Sequence, residues 1–298
     1  MDGILIIDKP TDWTSHDVVG KLRKILKTKR IGHTGTLDPF ATGVLVMLVG
    51  QATRLAQFLD KDAKEYEATV QLGFETDTGD LTGEMRDEGR GMRDEEVAEI
   101  LDKTNLENVL VPFRGQIEQT PPMYSAKKVD GKKLYELARK GIEIERKPVN
   151  VTIYELELLE EIPNPKSQIR IRVLCTAGTY IRTLAEDIGR KIGTGAHLTA
   201  LRRTRAGNFD LTKAVSIEQL LEIVSAEKLS DYLIPMNQAV SHLPEVKLSS
   251  EEVKKTRNGM KLPSNLNAEL VRLTDSENNL IAIGSADENF IRPKIVFV

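Results

Sequence analysis

The chain has 298 residues, of which 40% are hydrophobic and 29% are charged, and its net charge is −3. This length suits a large domain together with a small one. The near balance of charge excludes a global basic field, the single cysteine excludes an internal disulfide, and the longest apolar run, Val44 to Val49, is far too short to span a membrane.

The first elements are a short apolar strand and a basic amphipathic helix. Residues 3–7 form the predicted strand, which is too short to be a signal peptide, and the lone Cys175 suits a reducing compartment, so we expect a cytoplasmic protein. A helix is predicted to begin at Thr14 or Ser15 and to run to about Lys27. Its outer face and the tail behind it are basic, which favours phosphate contact over a merely solvated face. The tail residues are Lys29 and Arg30.

The next stretch, residues 32–45, reads GHTGTLDPFATGVL and holds Asp38 among apolar neighbours. Two interpretations of Asp38 follow from the residues alone. An Asp-Pro pair often starts a helix, with Asp as N-cap and Pro at the first helical position. Alternatively, Asp38 is a partly desolvated carboxylate that needs a cation to stay ionised. Gly43 weakens the first interpretation because it would leave a helix of barely one turn.

Alternation and turn signals organise the middle of the chain. Strands are predicted over 43–50 and 65–72, with helices over 51–59 and 94–101, and a turn-rich connection over 74–91. Tyr66 lies near the start of the second strand, where an aromatic side chain more often packs than reacts.

Residues 121–151 form a basic segment with a hairpin signal at Val129-Asp130-Gly131-Lys132, followed by a predicted short helix near 134–139. A basic hairpin and helix that project from a core suit contact with a nucleic-acid backbone. The candidate phosphate contacts here are Lys127, Lys128 and Lys132.

Two long strands, 149–159 and 169–175, precede a helix that we expect Thr179 to cap and that runs to about Lys191. Arg182 lies in the first turn of this helix, where the helix dipole disfavours a cation, so a specific anionic partner is indicated. A further strand, 198–205, ends in a basic cluster of candidate RNA contacts. They are Arg202, Arg203 and Arg205.

Beyond Pro235 the pattern changes to short elements. A helix is predicted over 248–257, followed by strands over 270–273 and 280–283 and by a last strand over 295–298. This part is similar to PUA domains, which are small β-barrels that bind RNA.

Six ordered blocks of residues together resemble the TruB family of tRNA pseudouridine synthases. A lone Leu-Asp-Pro would be weak, but the blocks follow the family's order over most of the chain. The blocks are Lys9-Pro10 with Thr14-Ser15, residues 32–45, Lys64-Glu65-Tyr66, residues 121–126, residues 178–184 and residues 195–203. One departure is Asp12, where the family pattern has Gly, so the sequence leaves the shape of this loop open.

The resemblance implies roles for individual side chains. Asp38 is the implied nucleophile, Arg182 its counter-ion, and Tyr66 the side chain that stacks on uracil and assists at the C5 proton. Whether Asp38 attacks C6 or C1′, or acts as a base at C2′, stays open. Further implied substrate contacts are His33, Tyr180, Leu201 and Lys9. From the residues alone, Lys9 could instead be a solvated loop lysine or a contact that supports the site. His33 could be a turn histidine, and Tyr180 and Leu201 could be core residues.

The resemblance also implies an α+β fold with a mixed, mostly antiparallel central sheet. We expect a catalytic domain over 1–234, with an insertion over about 121–151 that clamps the tRNA T-arm, and a PUA-like barrel over 235–298. The expected activity is isomerisation of the flipped-out uridine at position 55 in the tRNA T-loop.

Four histidines and one cysteine give no metal-ligand spacing, and no nucleotide-binding glycine motif follows a strand. We therefore expect neither metal nor cofactor. As separate expectations, the protein is a monomer and needs no guide RNA. The alternatives are a guide-dependent relative of the dyskerin type, an RNA-binding module without catalysis, and a hydrolase that uses Asp38. Activity on a bare tRNA transcript separates the first alternative from the expected enzyme, and an unchanged RNA mass separates the last.

Overall fold

A computed structural model of the chain describes residues 1–86, 91–102, 104–125, 127–129, 131–138, 140–162 and 167–297. The strands in this part of the chain are β1 Gly3–Lys9, β2 Ile31–Thr34, β3 Thr42–Val49, β4 Lys64–Leu72, β5 Gly115–Gln119, β6 Lys128–Val129, β7 Lys132–Lys133, β8 Val149–Ile162, β9 Gln168–Cys175, β10 Ala196–Ala206, β11 Phe209–Asp210, β12 Glu245–Lys247, β13 Leu262–Pro263, β14 Ala268–Thr274, β15 Leu280–Ala286 and β16 Phe290–Val296.

The helices are α1 Ser15–Ile25, α2 Ala56–Leu59, α3 Asp94–Asp102, α4 Leu106–Leu110, α5 Leu134–Ala138, α6 Ile181–Ile192, α7 Ile217–Ser225, α8 Leu229–Tyr232, α9 Met236–Ala239 and α10 Ser250–Arg257, with 3₁₀ turns at Gly50–Leu55, Val111–Phe113 and Leu211–Lys213. None of the helices in the described ranges combines the length and the apolar character needed to cross a membrane.

The central sheet has nine strands in the described residues, in the order β1-β3-β10-β4-β9-β8-β5, with β2 beside β3 and β11 beside β10. The pairing of β3 with β10 is parallel, whereas the other strand pairings of this sheet are antiparallel. The sheet therefore has the mixed, mostly antiparallel character that the sequence predicted, and the α+β class is confirmed.

Local signals explain why the first helix begins where it does. Thr14 accepts a hydrogen bond from the backbone of Asp17 at 3.0 Å, and the Asp17 carboxylate accepts one from the backbone of Thr14 at 2.8 Å. This reciprocal capping box satisfies two amide groups that a helix start leaves unpaired. Asp12, in the loop before it, has φ +63°, so Asp here takes the left-handed conformation that a glycine would favour.

Two predicted boundaries are wrong. Thr179 does not cap α6, because its hydroxyl donates to the Thr176 carbonyl at 2.9 Å and the N-cap residue is Tyr180, which makes no side-chain cap. The last strand begins at Phe290 rather than Ile295, and the Pro293 region, where proline lacks an amide, coincides with a register shift between β15 and β16.

The C-terminal strands form a five-stranded sheet in the order β12-β14-β15-β16-β13, consistent with the predicted PUA-like unit. One of its faces has a core of its own, which includes Val271, Leu273 and Ile281. The other joins a core cluster of the first domain, because Ile283 and Phe297 belong to the cluster that includes Ile4 of β1 and Val46 of β3. The predicted domain boundary at 235 therefore separates two sheets that nevertheless pack on one shared core.

Gly43 allows the parallel contact between β3 and β10 that joins the two halves of the central sheet. Its φ is +99°, and a Cβ on this residue would overlap the carbonyl oxygen of Arg203. The strands can approach at this point only because the residue has no side chain.

We predict that Gly43→Ala lowers the free energy of unfolding by about 2 kcal/mol or more, because overpacking and a left-handed backbone are both unfavourable for alanine. The measurement is urea unfolding followed by circular dichroism. The control is Gly20→Ala in α1, where a Cβ would meet nothing and where alanine should be neutral or slightly stabilising. A Gly43→Ala protein as stable as wild type would contradict this account of the strand contact.

Candidate active site

A pocket of about 250 Å³ opens where the loop before β3, strand β4 and the start of α6 meet. Its wall includes most of the predicted catalytic residues together with several that the sequence did not single out. The side chains used below are Asp38, Asp60, Lys64, Tyr66, Ser125, Tyr180, Arg182, Leu201 and Arg203.

Asp38 lies in an irregular loop and caps no helix, so the helix-start interpretation is wrong. Ser15 fixes the loop on one side, because its hydroxyl accepts a hydrogen bond from the Leu37 amide at 3.0 Å. Asp60 fixes the other side by accepting from the Gly35 amide at 3.1 Å. The carboxylate therefore has a defined position before any substrate binds.

Lys9 bonds the same loop at Pro39 and does not line the pocket. Its side chain is fully buried, and its ammonium group donates to the carbonyls of Pro10, Trp13 and Pro39 at 2.8, 2.6 and 3.0 Å. Burial lowers the pKa of Lys9 to about 8, with Asp38 opposing the change. The predicted substrate contact by Lys9 is wrong, because its buried ammonium group is occupied by three backbone carbonyls. Pro39 belongs to the Asp38 loop, whereas Pro10 and Trp13 belong to the loop before α1.

Arg182 makes a two-point ion pair with Asp38. Its Nε lies 3.0 Å from Oδ2 and its Nη2 lies 3.2 Å from Oδ1. The remaining donors reach the carbonyls of Thr78 and Tyr124 at 2.8 and 2.7 Å and the Asp80 carboxylate at 3.6 Å. Because a guanidinium is planar and every edge is engaged, Arg182 is held in one orientation.

Asp80 is a second carboxylate in this network, and the sequence analysis missed it. It is 4% exposed and accepts hydrogen bonds from Thr78 and from the Thr82 amide at 2.9 and 3.0 Å. Its only sequence signal is a turn-rich stretch. A bridge between Asp80 and Leu198 of β10 brings that turn to the pocket.

Burial and the neighbouring charges shift the pKa of Asp38 in opposing directions. Burial raises the pKa of Asp38, the Arg182 guanidinium opposes that rise, and the Asp80 carboxylate adds to it. The Asp38 side chain is still 34% exposed, in contrast to 6% for Arg182. The carboxylate therefore combines a fixed position and a reduced hydration with access for a ligand.

Tyr66 stands on β4 with its hydroxyl in protein surroundings. Burial raises the pKa of Tyr66, and the nearby Arg203 guanidinium opposes the rise. The phenol is therefore protonated at neutral pH and presents a flat ring to the pocket. Tyr180 and Leu201 line the same pocket, so both predicted positions are at the site, although their contact with a substrate stays a prediction.

His33 lines an adjoining groove of about 350 Å³ rather than the Asp38 pocket. The two spaces meet at Gly35, Thr36 and Asp60. The His33 ring packs edge-on against His16 with centroids 5.7 Å apart, and burial lowers the pKa of His33. Its imidazole is therefore neutral at neutral pH, and its contact with a substrate stays a prediction.

The strand arginines differ in where their side chains lie, and the RNA contacts of Arg202 and Arg205 stay predictions. Arg203 is 1% exposed, so its predicted phosphate contact is wrong, and it belongs to the pocket wall. Arg202 is paired with Asp8 at 2.7 Å and Arg205 with Glu65 at 3.3 Å. Both ion pairs belong to the sheet face opposite Tyr66, because neighbouring strand residues point to opposite faces.

The other predicted RNA contacts are Lys29, Arg30 and three lysines of the basic insertion. Lys29 and Arg30 are exposed behind α1, and Lys127 is half-buried. The hairpin of β6 and β7 and helix α5 follow the sequence prediction. The side chains of Lys128 and Lys132 lie outside the described residues. Across the described ranges, no three histidine, cysteine or acidic side chains cluster in a way that would hold a metal ion.

We predict that Asp80→Asn lowers the pKa of Asp38, because the substitution removes a negative charge that favours protonation of its neighbour. The measurement is ¹³C NMR titration of the aspartate carboxyl carbons in the free protein. Asp77→Asn, in the same turn, is the control and should leave the Asp38 titration unchanged. An unaltered midpoint in Asp80→Asn would mean that the two carboxylates do not interact.

Comparison with known families places these features in a group of enzymes. The family model described as TruB family pseudouridylate synthase (N terminal domain) matches residues 23–181. Two C-terminal descriptions follow, tRNA pseudouridylate synthase B C-terminal domain over 182–241 and Pseudouridine synthase II TruB, C-terminal, over 244–297.

Curated relatives named tRNA pseudouridine synthase B match nearly the whole chain. The protein of Solibacter usitatus is 42% identical over 99% of this chain and 100% of its own length. That of Geobacillus thermodenitrificans is 45% identical over 89% of this chain and 87% of its own length.

Two solved structures share the fold. One, titled as a Cbf5-Nop10-Gar1 complex, aligns with a TM-score of 0.71 and 27% identity over 99% of this chain and 84% of that chain. Another, an H/ACA RNP bound to a substrate RNA containing 2′-deoxyuridine, aligns with a TM-score of 0.70 and 25% identity over 99% and 85%. The chain therefore belongs to the TruB family of pseudouridylate synthases, and it is an isomerase.

Proposed function

We propose that this protein converts the uridine at position 55 in the T-loop of tRNA to pseudouridine, acting on tRNA without a guide RNA or an added cofactor. The names of the curated relatives support tRNA as the substrate. The choice of the T-loop position rests on the family resemblance. A protein that acts without a guide must recognise tRNA through its own residues.

The observation that carries the chemistry is the two-point pair of Asp38 with Arg182 at the wall of an open pocket. Isomerisation breaks the C1′–N1 bond of uridine and makes a C1′–C5 bond; the C5 proton leaves and N1 takes up a proton. Nucleophilic attack at C6 or C1′ and proton removal at C2′ all require the ionised carboxylate. Arg182 keeps that form available although burial opposes it.

The remaining pocket residues suit a single uracil. The Tyr66 ring offers a face for stacking, and its hydroxyl can assist the transfer of the C5 proton. A base in a folded loop has to leave its stack to enter this pocket, which costs about a few kcal/mol. Contacts between the RNA backbone and basic residues around the site would offset that cost.

We predict that Asp38→Asn lowers the turnover of tRNA by about 10⁴-fold or more, as expected for loss of a nucleophile. Affinity for tRNA should change by less than about tenfold, or 1.4 kcal/mol, because the phosphate contacts lie elsewhere. The assay is tritium release from unmodified tRNA transcript that carries [5-³H]uridine, since the C5 hydrogen leaves on isomerisation.

The matched control is Asp12→Asn, because Asp12 is exposed and asparagine tolerates its left-handed backbone equally well. This variant should release label at the wild-type rate. Normal turnover by Asp38→Asn would overturn the proposed role of Asp38. A wild type that needs a second RNA for activity on the bare transcript would favour the guide-dependent alternative.

We predict that replacing Lys127, Lys128 and Lys132 together by Gln weakens the salt dependence of tRNA binding. Each lost phosphate contact should reduce the slope of log K against log salt by about 0.7 to 0.9. Binding is measured by filter retention over a range of salt concentrations. Lys228→Gln, an exposed lysine between α7 and α8, serves as the control, and a slope unchanged in the triple variant would assign the insertion lysines to a solvated face.

A further inference from the structure

Arg203 is a buried cation without a carboxylate partner among the described ion pairs. It is one of the two largest side chains in the fully buried set. Its Nε donates to the Val44 carbonyl at 2.7 Å and its Nη2 to the Gly35 carbonyl at 3.0 Å. A buried charge paired only with neutral oxygens is unfavourable for stability. This cost suggests that Arg203 has a role in the Asp38 pocket.

The strand register places Arg203 directly beside Tyr66. The two residues are opposite partners where β10 pairs with β4, and both line the pocket that holds Asp38. The Arg203 guanidinium lies close enough to the Tyr66 hydroxyl to oppose the rise that burial causes in the pKa of Tyr66.

A guanidinium has five donors and no acceptor, so in a hydrogen bond between these two groups the Tyr66 oxygen would be the acceptor. The hydrogen of the Tyr66 hydroxyl would then be free to point into the pocket that both residues line. The same guanidinium also supports negative charge on the phenol oxygen, in opposition to the burial that disfavours such charge.

Arg203 also connects the two elements that carry the reacting groups. Gly35 begins the loop that holds Asp38, whereas Tyr66 is on β4. A rigid planar group that is bonded to the loop and lies beside Tyr66 limits how far the carboxylate can lie from the phenol. A lysine could keep the charge but could not reproduce the fork of donors.

We propose that Arg203 is a positioning residue for Tyr66, which directs the phenol hydrogen at the flipped uracil and holds Tyr66 in register with the Asp38 loop. This proposal rests on the proposed function, because it assigns Tyr66 to the uracil. Arg203 acts through Tyr66 and does not itself touch the substrate, since its side chain is almost completely enclosed.

The test is a double-mutant cycle on Arg203→Gln and Tyr66→Phe, measured as single-turnover tritium release from tRNA transcript. Arg203→Gln alone should slow the reaction by about 10²-fold, with tRNA affinity within about threefold of wild type. In the Tyr66→Phe background the same substitution should slow it by less than about threefold further. Losses that multiply would show that Arg203 acts independently of Tyr66 and would overturn the proposal.

Two further variants separate positioning from stability. Arg203→Lys keeps the cation and should recover at least about tenfold of the rate lost in Arg203→Gln. Equal rates in these two variants would mean that only packing is at stake. Arg170→Gln, on the outer face of the same sheet and paired with Glu160 at 2.6 Å, is the control and should react at the wild-type rate.

A readout in the free protein tests the contact without RNA. The ¹³Cζ resonance of Tyr66, identified by its loss in Tyr66→Phe, should titrate at higher pH in Arg203→Gln than in wild type, because the cation that lowers the pKa of Tyr66 is gone. An unchanged midpoint would overturn the proposal. Wild type that failed to release label would count against the proposed function instead, while this titration would still decide whether Arg203 positions Tyr66.

Discussion

The ion pair between Asp38 and Arg182 is the interaction on which the rest of the structure depends. A carboxylate with apolar neighbours and little water would take up a proton without a fixed cation beside it. The cation is fixed because the other donors of Arg182 meet the Thr78 and Tyr124 carbonyls and the Asp80 carboxylate. Segments that are far apart in sequence therefore converge on one side chain at the start of α6.

The loop that carries Asp38 is fixed by side chains from several other segments of the chain. Lys9, Ser15, Asp60 and Arg203 each bond its backbone, so an irregular segment with few bonds of its own is held from several directions. Such preorganisation means that binding a substrate need not order the catalytic group. Two of these supports are buried cations, which are placed where the backbone presents carbonyl oxygens that need donors.

The sequence could predict the strands, the first helix and the three central side chains, because alternation, capping residues and ordered motif blocks are local signals. It could not predict which basic residues are buried. Lys9 and Arg203 look like surface residues in one dimension, and only the pairing of β1, β3 and β10 shows that they point inward. Asp80 was missed for a similar reason, since its turn gains meaning only from contact with β10.

The shared core between the C-terminal sheet and β1 has a consequence for how the protein is made. Ile4 and Phe297 belong to one cluster, and Arg54 packs against the Phe297 ring with its guanidinium 5.7 Å from the ring centroid. On the ribosome, β1 can pair with β3 early, and Leu55, Phe209 and Ile234 of the same cluster emerge before the C-terminal sheet does. The part of the cluster that Ile283 and Phe297 complete stays open until residues 280–297 have emerged, and apolar surface left open during synthesis is the condition under which chaperone capture competes with folding.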